Sequence, residues 1–261
     1  MFNIAGSIKL FALDLDGTLY RGQKKVAGAI TLIDYLRDNF QVFFFTNNST
    51  KTAGEIHEKL NSLGIECRLS EVYTSAAAAA MYLNESGLNN LYVIGSDGFR
   101  SELEGRGLHI VDNDSADNLV VGFDADFNYT KIATAFSILL KGGKFIACNE
   151  DGSYPVGESR YMPGCGAMVG AIAASAAKKP DFIVGKPNTY ILSKIAGKHR
   201  IKHDEILVVG DSYESDVMMA LNFKSKAILI NPQKSVINKN MVVLEDLHKT
   251  LLYITLVQKR V

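Results

Sequence analysis

Two carboxylates arrive together at the end of an apolar run. In DLDGT (14–18), Asp14 and Asp16 follow IKLFAL and stand two positions apart. Residues i and i+2 of an extended strand share a face, so both acids point one way while Leu15 points into the core. Like carboxylates a few ångströms apart raise one another's pKa unless a cation or a proton separates them. One of the two can then stay ionised as nucleophile and metal ligand while the other, held protonated, serves as general acid; Gly17 permits the tight turn that follows. An acidic pair at a strand end can also be no more than a turn. What favours chemistry is that three more polar groups follow in order, each closing an apolar run: TNNS (46–49), GKP (185–187) and GDSYESD (210–216). A hydroxyl and backbone amides suit phosphate oxygens, a lysine supplies fixed positive charge, and two further aspartates complete an oxygen set for a hard cation such as Mg²⁺. Taken singly, these groups also read as a helix N-cap, a solvated lysine and a capped turn before MMAL.

The elements that must position these residues alternate between β-rich apolar runs and amphipathic stretches, the pattern of an α/β fold with a Rossmann-like, largely parallel sheet. Ligands of such sheets bind outside the carboxyl ends of the strands. IKLFALDLD, QVFFFTNNS, PDFIVGK and EILVVGDS are read as four strands whose ends meet at one site. Helices are expected over 27–38 and 52–63, with Gly64 as a stop signal, and over 75–83, which holds five consecutive alanines. From Leu91 the pattern restarts as LYVIG, FRSELEGRG, HIVD, NLVVGFD, YTKIATAFSILLKGG and KFIACN, two strand–helix–strand units lying between the second and third polar strand ends. A block of about a hundred residues is large enough for a separate domain. The expected organisation is a core of 1–77 and 182–261 with an inserted α/β cap domain over 78–181. MVVLEDLHKTLLYI, near the end, has spacing compatible with a docked helix.

Composition narrows the partners. Lys plus Arg equals Asp plus Glu at 28 each, so the chain lacks the long-range basic field of a binder of nucleic acid polymers or anionic membranes, and any anion must be held locally. Three scattered cysteines, Cys67, Cys148 and Cys165, show no CxxC and suit a reducing cytosol without disulfides. The N-terminal apolar stretch is broken by Lys9 and runs into Asp14, so it reads as neither signal peptide nor membrane span, and a cytoplasmic location is expected.

Rival signals are weaker. Gly164, Gly166 and Gly170 have a dinucleotide-like spacing that would suit an NADP-dependent oxidoreductase, but ESRYMP before them does not read as a strand and no ribose reader follows. Asp124 and Asp126 form a second DxD without a following GT. The five histidines (57, 109, 199, 203 and 248) show no zinc spacing, and no P-loop is present. A phospho-accepting receiver module also gathers aspartates, a hydroxyl and a lysine, but its acidic pair is normally adjacent and it needs no large insertion.

DLDGT, TNN, the lysine of GKP and GDSYESD, in that order, resemble the four motifs of the haloacid dehalogenase superfamily of phosphohydrolases. The insertion, with VVGFDADFNYTK, IACNEDGSYPV and PGCGAMVGA, looks like the branch with a large α/β cap that includes NagD-type nucleotidases and 4-nitrophenylphosphatases. The departures are Ala27, where the family usually has proline, and Cys165, where threonine or serine is frequent. The resemblance implies hydrolysis of small-molecule phosphate esters: Asp14 attacks phosphorus and becomes an aspartyl phosphate, while Asp16 protonates the leaving alcohol and then activates water. It implies Mg²⁺ held by the Asp14 carboxylate, the Asp16 backbone carbonyl and Asp211, with Asp216 positioning its shell, and a phosphate cradle of Thr46, Asn47, Asn48 and Lys186. The cap would choose the leaving group, with Arg160 and Tyr161 in GESRYMPG as readers, and would pair two copies as a homodimer.

Overall fold

The computed structural model describes residues 8–155, 160–231 and 240–258. It divides into two compact units: 1–46, 57–73 and 186–261 form the first, and 47–56 with 74–185 form the second. The first unit starts with β1 (Leu10–Asp14), buried along its whole length, as expected of a parallel strand covered on both faces. A two-stranded hairpin, β2 (Tyr20–Arg21) and β3 (Lys24–Lys25), follows. Helix α1 (Ala29–Asn39) buries Leu32, Ile33 and Leu36 at helical spacing, and β4 (Gln41–Thr46) returns to lie parallel with β1. Helix α2 (Ala53–Ser62) is followed by Gly64 at φ +75°, a left-handed stop that glycine adopts without a Cβ clash. Strand β5 (Val72–Thr74) completes this stretch.

The longer stretch of the second unit, from Thr74, begins with α3 (Ser75–Glu85), capped by the Thr74 hydroxyl, which accepts from the Ala77 amide at 3.0 Å. All five alanines of the run are buried, so their small side chains serve close packing. Next come β6 (Leu91–Ile94), α4 (Asp97–Glu104), β7 (Asn118–Val121), α5 (Tyr129–Leu140) and β8 (Lys144–Ala147). An antiparallel ribbon of β9 (Ser153–Pro155) and β10 (Tyr161–Pro163) precedes α6 (Cys165–Ala176) and β11 (Phe182–Ile183). Strands β11, β8, β7 and β6 form, in that order, a parallel sheet, against which α5 and α6 pack Ile138, Leu139, Val169 and Ile172.

Three sequence expectations change here. PDFIVGK does not enter the sheet of β1, because β11 pairs with β8 and closes the second unit's sheet; the second unit accordingly runs to Gly185 and takes in 47–56, beyond the expected 78–181. HIVD contributes only an isolated bridge between Leu91 and Ile110. ESRYMP does carry a strand, β10, but an antiparallel one of three residues.

The chain then completes the first unit with α7 (Tyr190–His199), β12 (Ile206–Gly210), a π-helical turn at Tyr213–Val217, α8 (Met218–Asn222), β13 (Lys226–Ile230), β14 (Met241–Leu244) and α9 (Leu247–Gln258). MVVLEDLHKTLLYI is thus a strand followed by a helix: MVVL pairs with β13, and Asp246 starts the helix by accepting from the Lys249 amide at 2.8 Å. The sheet order is β14-β13-β12-β1-β4-β5, with β1 parallel to both β12 and β4. The order reverses at β1, so the carboxyl end of β1 is a topological switch point, where open α/β sheets bind ligands. No helix among the described residues is long and apolar enough to cross a membrane.

Candidate active site

The switch point places Asp14 at the last position of β1, level with Phe45 of β4. The next sheet neighbour, β12, ends at Gly210 and hands the chain to Asp211 and the π-helical turn that carries Asp216. Gly17 is required here: its φ is +96°, and a Cβ would stand 2.2 Å from Asp211 Oδ2. Gly210 is crowded in the same way, since a Cβ there would stand 2.2 Å from Asp216 Oδ2. Both glycines let backbone and carboxylate approach where a side chain would block them.

Lys186 is the cation of the cluster. Its side chain is only 5% exposed, and its Nζ donates to Asp14 Oδ1 at 2.5 Å and to Asp216 Oδ1 at 2.7 Å. Burial alone would pull the ammonium's pKa down, but the charges of Asp14 and Asp216 raise it instead. Asp216 is held at its other oxygen, Oδ2, by the Ser212 amide at 3.0 Å. Its carboxyl is nonetheless pushed up by burial and by the charge of Asp14. The same two causes raise Asp211 to about 6.

Oxygens of Asp14, Asp211 and Asp216 lie within 4.8 Å of one another. Thr18 stands between two of these carboxylates: its Oγ1 lies 3.0 Å from Asp14 Oδ2 and 3.3 Å from Asp211 Oδ1. A hydroxyl has one proton, so it cannot satisfy both acids at once. Three carboxylates against one lysine leave two uncompensated negative charges, and a hard divalent cation fits both the charge and the all-oxygen donor set.

Asp16 behaves differently. It lies open to solvent, yet the protein closes one side of it: Thr46 Oγ1 donates to Asp16 Oδ2 at 3.1 Å and Tyr20 Oη to the same oxygen at 3.3 Å. Local desolvation, then the charge of Asp14, raises its pKa, against the lowering influence of Lys59 and the two hydroxyls. Tyr20 is fully buried, and burial with the Asp16 charge raises its own pKa, keeping the phenol protonated.

The sequence-derived site therefore divides. Asp14, Asp16, Thr46, Lys186, Asp211 and Asp216 come together in the first unit. Asn47, Asn48, Arg160 and Tyr161 belong to the second. There the Asn47 backbone carbonyl accepts from Ser75 Oγ and Asn149 Nδ2, and its side-chain Nδ2 donates to Asp151 Oδ2 at 2.9 Å. Asn48 Oδ1 accepts from the Thr50 and Lys51 amides, shaping the turn before α2. Arg160 and Tyr161 are exposed; residues 157–159 of the GESRYMPG segment lie outside the described residues. Two further side chains that sequence reasoning gives no role touch these carboxylates: Thr18, inside the quoted motif, and Tyr20, whose signal is its position four residues after Asp16.

The rival signals acquire ordinary explanations. A Cβ at Gly164 or Gly166 would stand 2.3 or 2.4 Å from the carbonyl oxygen of Asp151 or Glu150, so these glycines serve close packing of the α6 start. Asp124, of the second DxD, is buried in an ion pair with Lys131 at 2.6 Å and accepts from the Asp126 amide at 2.9 Å.

Comparison with known proteins agrees with this geometry. Residues 11–109 match the family described as haloacid dehalogenase-like hydrolase, and residues 183–235 match the one described as HAD-hydrolase-like. A protein named acid sugar phosphatase from Staphylococcus epidermidis is 38% identical over 214 residues, covering 81% of this chain and 82% of its own length. The chain belongs to the haloacid dehalogenase-like hydrolases. Its counterpart of the same name from Staphylococcus aureus is 35% identical over 239 residues, 89% of this chain and 92% of the relative. Among solved structures, a p-nitrophenyl phosphatase from Archaeoglobus fulgidus superposes with a TM-score of 0.87 at 25% identity, covering 95% of this chain and 99% of that one. A 4-nitrophenylphosphatase from Thermotoga maritima gives 0.86 at 28% identity, with 94% and 97% covered. This hydrolase is thus an enzyme of the NagD and nitrophenylphosphatase-like branch, with the family's parallel-sheet α/β core.

Proposed function

We propose that this hydrolase cleaves small phosphomonoesters, sugar and aryl phosphates among them, by a Mg²⁺-dependent route through an aspartyl phosphate on Asp14. The observation that carries the reading is the buried contact of Lys186 with both Asp14 and Asp216, beside Asp211, at the switch point of the sheet. The names of the relatives, acid sugar phosphatase and 4-nitrophenylphosphatase, support the substrate class. Asp14, anchored through Oδ1 by Lys186, is the nucleophile. Asp16, with its raised pKa, gives its proton to the leaving oxygen and later takes one from the attacking water. Mg²⁺, when bound, supplies charge stabilisation to the transferring phosphoryl group. The Asp14 and Asp211 carboxylates and the Asp16 backbone carbonyl would hold it. Asp216, whose oxygens already meet Lys186 and the Ser212 amide, would act by placing the lysine and the outer shell.

Thr46, Asn47, Asn48 and Lys186 would receive the phosphoryl oxygens. The reading is tested by phosphate released from 4-nitrophenyl phosphate and from sugar phosphates: turnover is expected with Mg²⁺ and lost in EDTA, and a panel hydrolysed equally well in both would overturn it. Leaving-group choice is assigned to the inserted unit. Replacing Arg160 and Tyr161 by alanine together is expected to reorder kcat/KM across the panel, and an equal change on every ester would remove them from that role.

A further inference from the structure

Asn47 is held from within the inserted unit at its backbone and at its side chain. Its backbone carbonyl accepts from Ser75 Oγ at 2.7 Å and from Asn149 Nδ2 at 2.8 Å, which fills both lone pairs of that oxygen. Its side-chain Nδ2 donates to Asp151 Oδ2 at 2.9 Å. An ionised carboxylate only accepts, so Asp151 also decides which way round the carboxamide sits, nitrogen toward it and oxygen away. That oxygen, Oδ1, uses the space left by Gly185, where a Cβ would stand 2.6 Å from it. We propose that Asp151 is a positioning residue of the phosphoryl cradle, acting through Asn47 without touching the substrate. This rests on the phosphatase reading above and adds to it what keeps the cradle in shape.

Asp151 is suited to the task because its own place is fixed. Asn149, buried two residues after the end of β8, uses its side chain twice: Nδ2 donates to the Asn47 carbonyl, and Oδ1 accepts from the Asp151 amide at 3.1 Å. The Asp151 carbonyl accepts from the Gly166 amide at 2.9 Å, in the first turn of α6. At the other end of the loop the Cys148 carbonyl accepts from the Gly185 amide at 2.8 Å. The loop 148–151 is thereby tied to the chain beside two site residues, since Asn47 follows Thr46 and Gly185 precedes Lys186. Donors stabilise a transferring phosphoryl group in so far as they are fixed before it arrives, and an Asn47 released from Asp151 would have to be ordered at the expense of binding. Arg160 and Tyr161 take no part in these bonds, so the cradle and the choice of leaving group can be separated.

Inorganic phosphate has no leaving group, so its inhibition constant against 4-nitrophenyl phosphate hydrolysis in Mg²⁺ reads the cradle alone. Asp151→Ala is expected to raise that constant roughly tenfold, as the loss of a hydrogen bond to a charged group does. KM for 4-nitrophenyl phosphate and for glucose 6-phosphate should rise by the same factor, with the thermal midpoint nearly unchanged. Asp151→Asn can still offer an oxygen to Asn47 Nδ2 and should restore the wild-type constant. Asn47→Ala, alone or combined with Asp151→Ala, should give one and the same constant, because Asp151 then has nothing left to hold. An unchanged constant in Asp151→Ala, effects that add in the double variant, a loss confined to one ester, no rescue by asparagine, or an Asp151→Ala chain that does not fold would overturn the assignment while leaving the phosphatase reading intact. A wild-type enzyme silent on every ester in Mg²⁺ would overturn both.

Discussion

Asp14→Asn is expected to stop turnover, with phosphate release falling by on the order of 10⁴-fold or more, the scale reached when a covalent nucleophile is removed. The amide has the same shape but neither the charge nor the lone-pair reactivity of the carboxylate. It also deprives buried Lys186 of one of its two anionic partners, at an oxygen now 2.5 Å from Nζ, and weakens one ligand of the cation. The fold should tolerate the change, because Lys186 keeps its contact with Asp216 and Thr18 still has Asp211 within 3.3 Å. The measurement pairs phosphate release with thermal unfolding. A folded variant with wild-type turnover would mean that another group attacks phosphorus.

The second large effect is expected from Asp16→Asn, a loss of roughly two to four orders of magnitude, the contribution of a positioned acid–base group. The two carboxylates should separate experimentally, because the Asp16 backbone carbonyl survives the substitution. Half-saturation by Mg²⁺ should stay near the wild-type value in Asp16→Asn while kcat falls, whereas Asp14→Asn should disturb both. The direction of the pH effect follows from the raised pKa of Asp16. An acid must carry its proton to act, so wild-type kcat should fall as pH rises through that raised value, and this alkaline limb should be absent from Asp16→Asn. An alkaline limb unchanged in the variant would assign it to a different group.

Much of this site was readable in the chain because its motifs end strands, and strand periodicity carries direction as well as position. Two apolar runs, FALD and ILVVG, are buried on both faces as central parallel strands must be, so their polar ends emerge at the carboxyl end of the sheet. Lys186 stands out in the sequence by its place after an apolar run, but the route that delivers it does not. FIVGK has the same apolar-then-polar texture as the other strands, and nothing local tells which of two sheets it joins; the pairing of Phe182 and Ile183 with β8 decides that. Tyr20 was overlooked for a related reason. Its hydroxyl reaches back four residues across a turn to Asp16, and a turn has no periodicity to announce which side chain returns. Asn48 has a local part that its residue type does not announce, since its side-chain oxygen shapes the turn before α2.

The distance along the chain between Asp14 and its lysine bears on how the molecule is made. The partners are separated by 172 positions, and Thr18 by 193 from Asp211. At ribosomal speeds of about 5–20 residues per second, Lys186 is polymerised roughly 9–35 s after Asp14. Every residue of the second unit is synthesised in or before that interval, since the unit ends at Gly185. Nearly all of the inserted unit is therefore synthesised while the acidic pair still has no counter-charge. The cluster is complete only once Asp211 and Asp216 have followed Lys186, so the nascent chain carries Asp14 for most of its synthesis without the lysine and carboxylates that surround it.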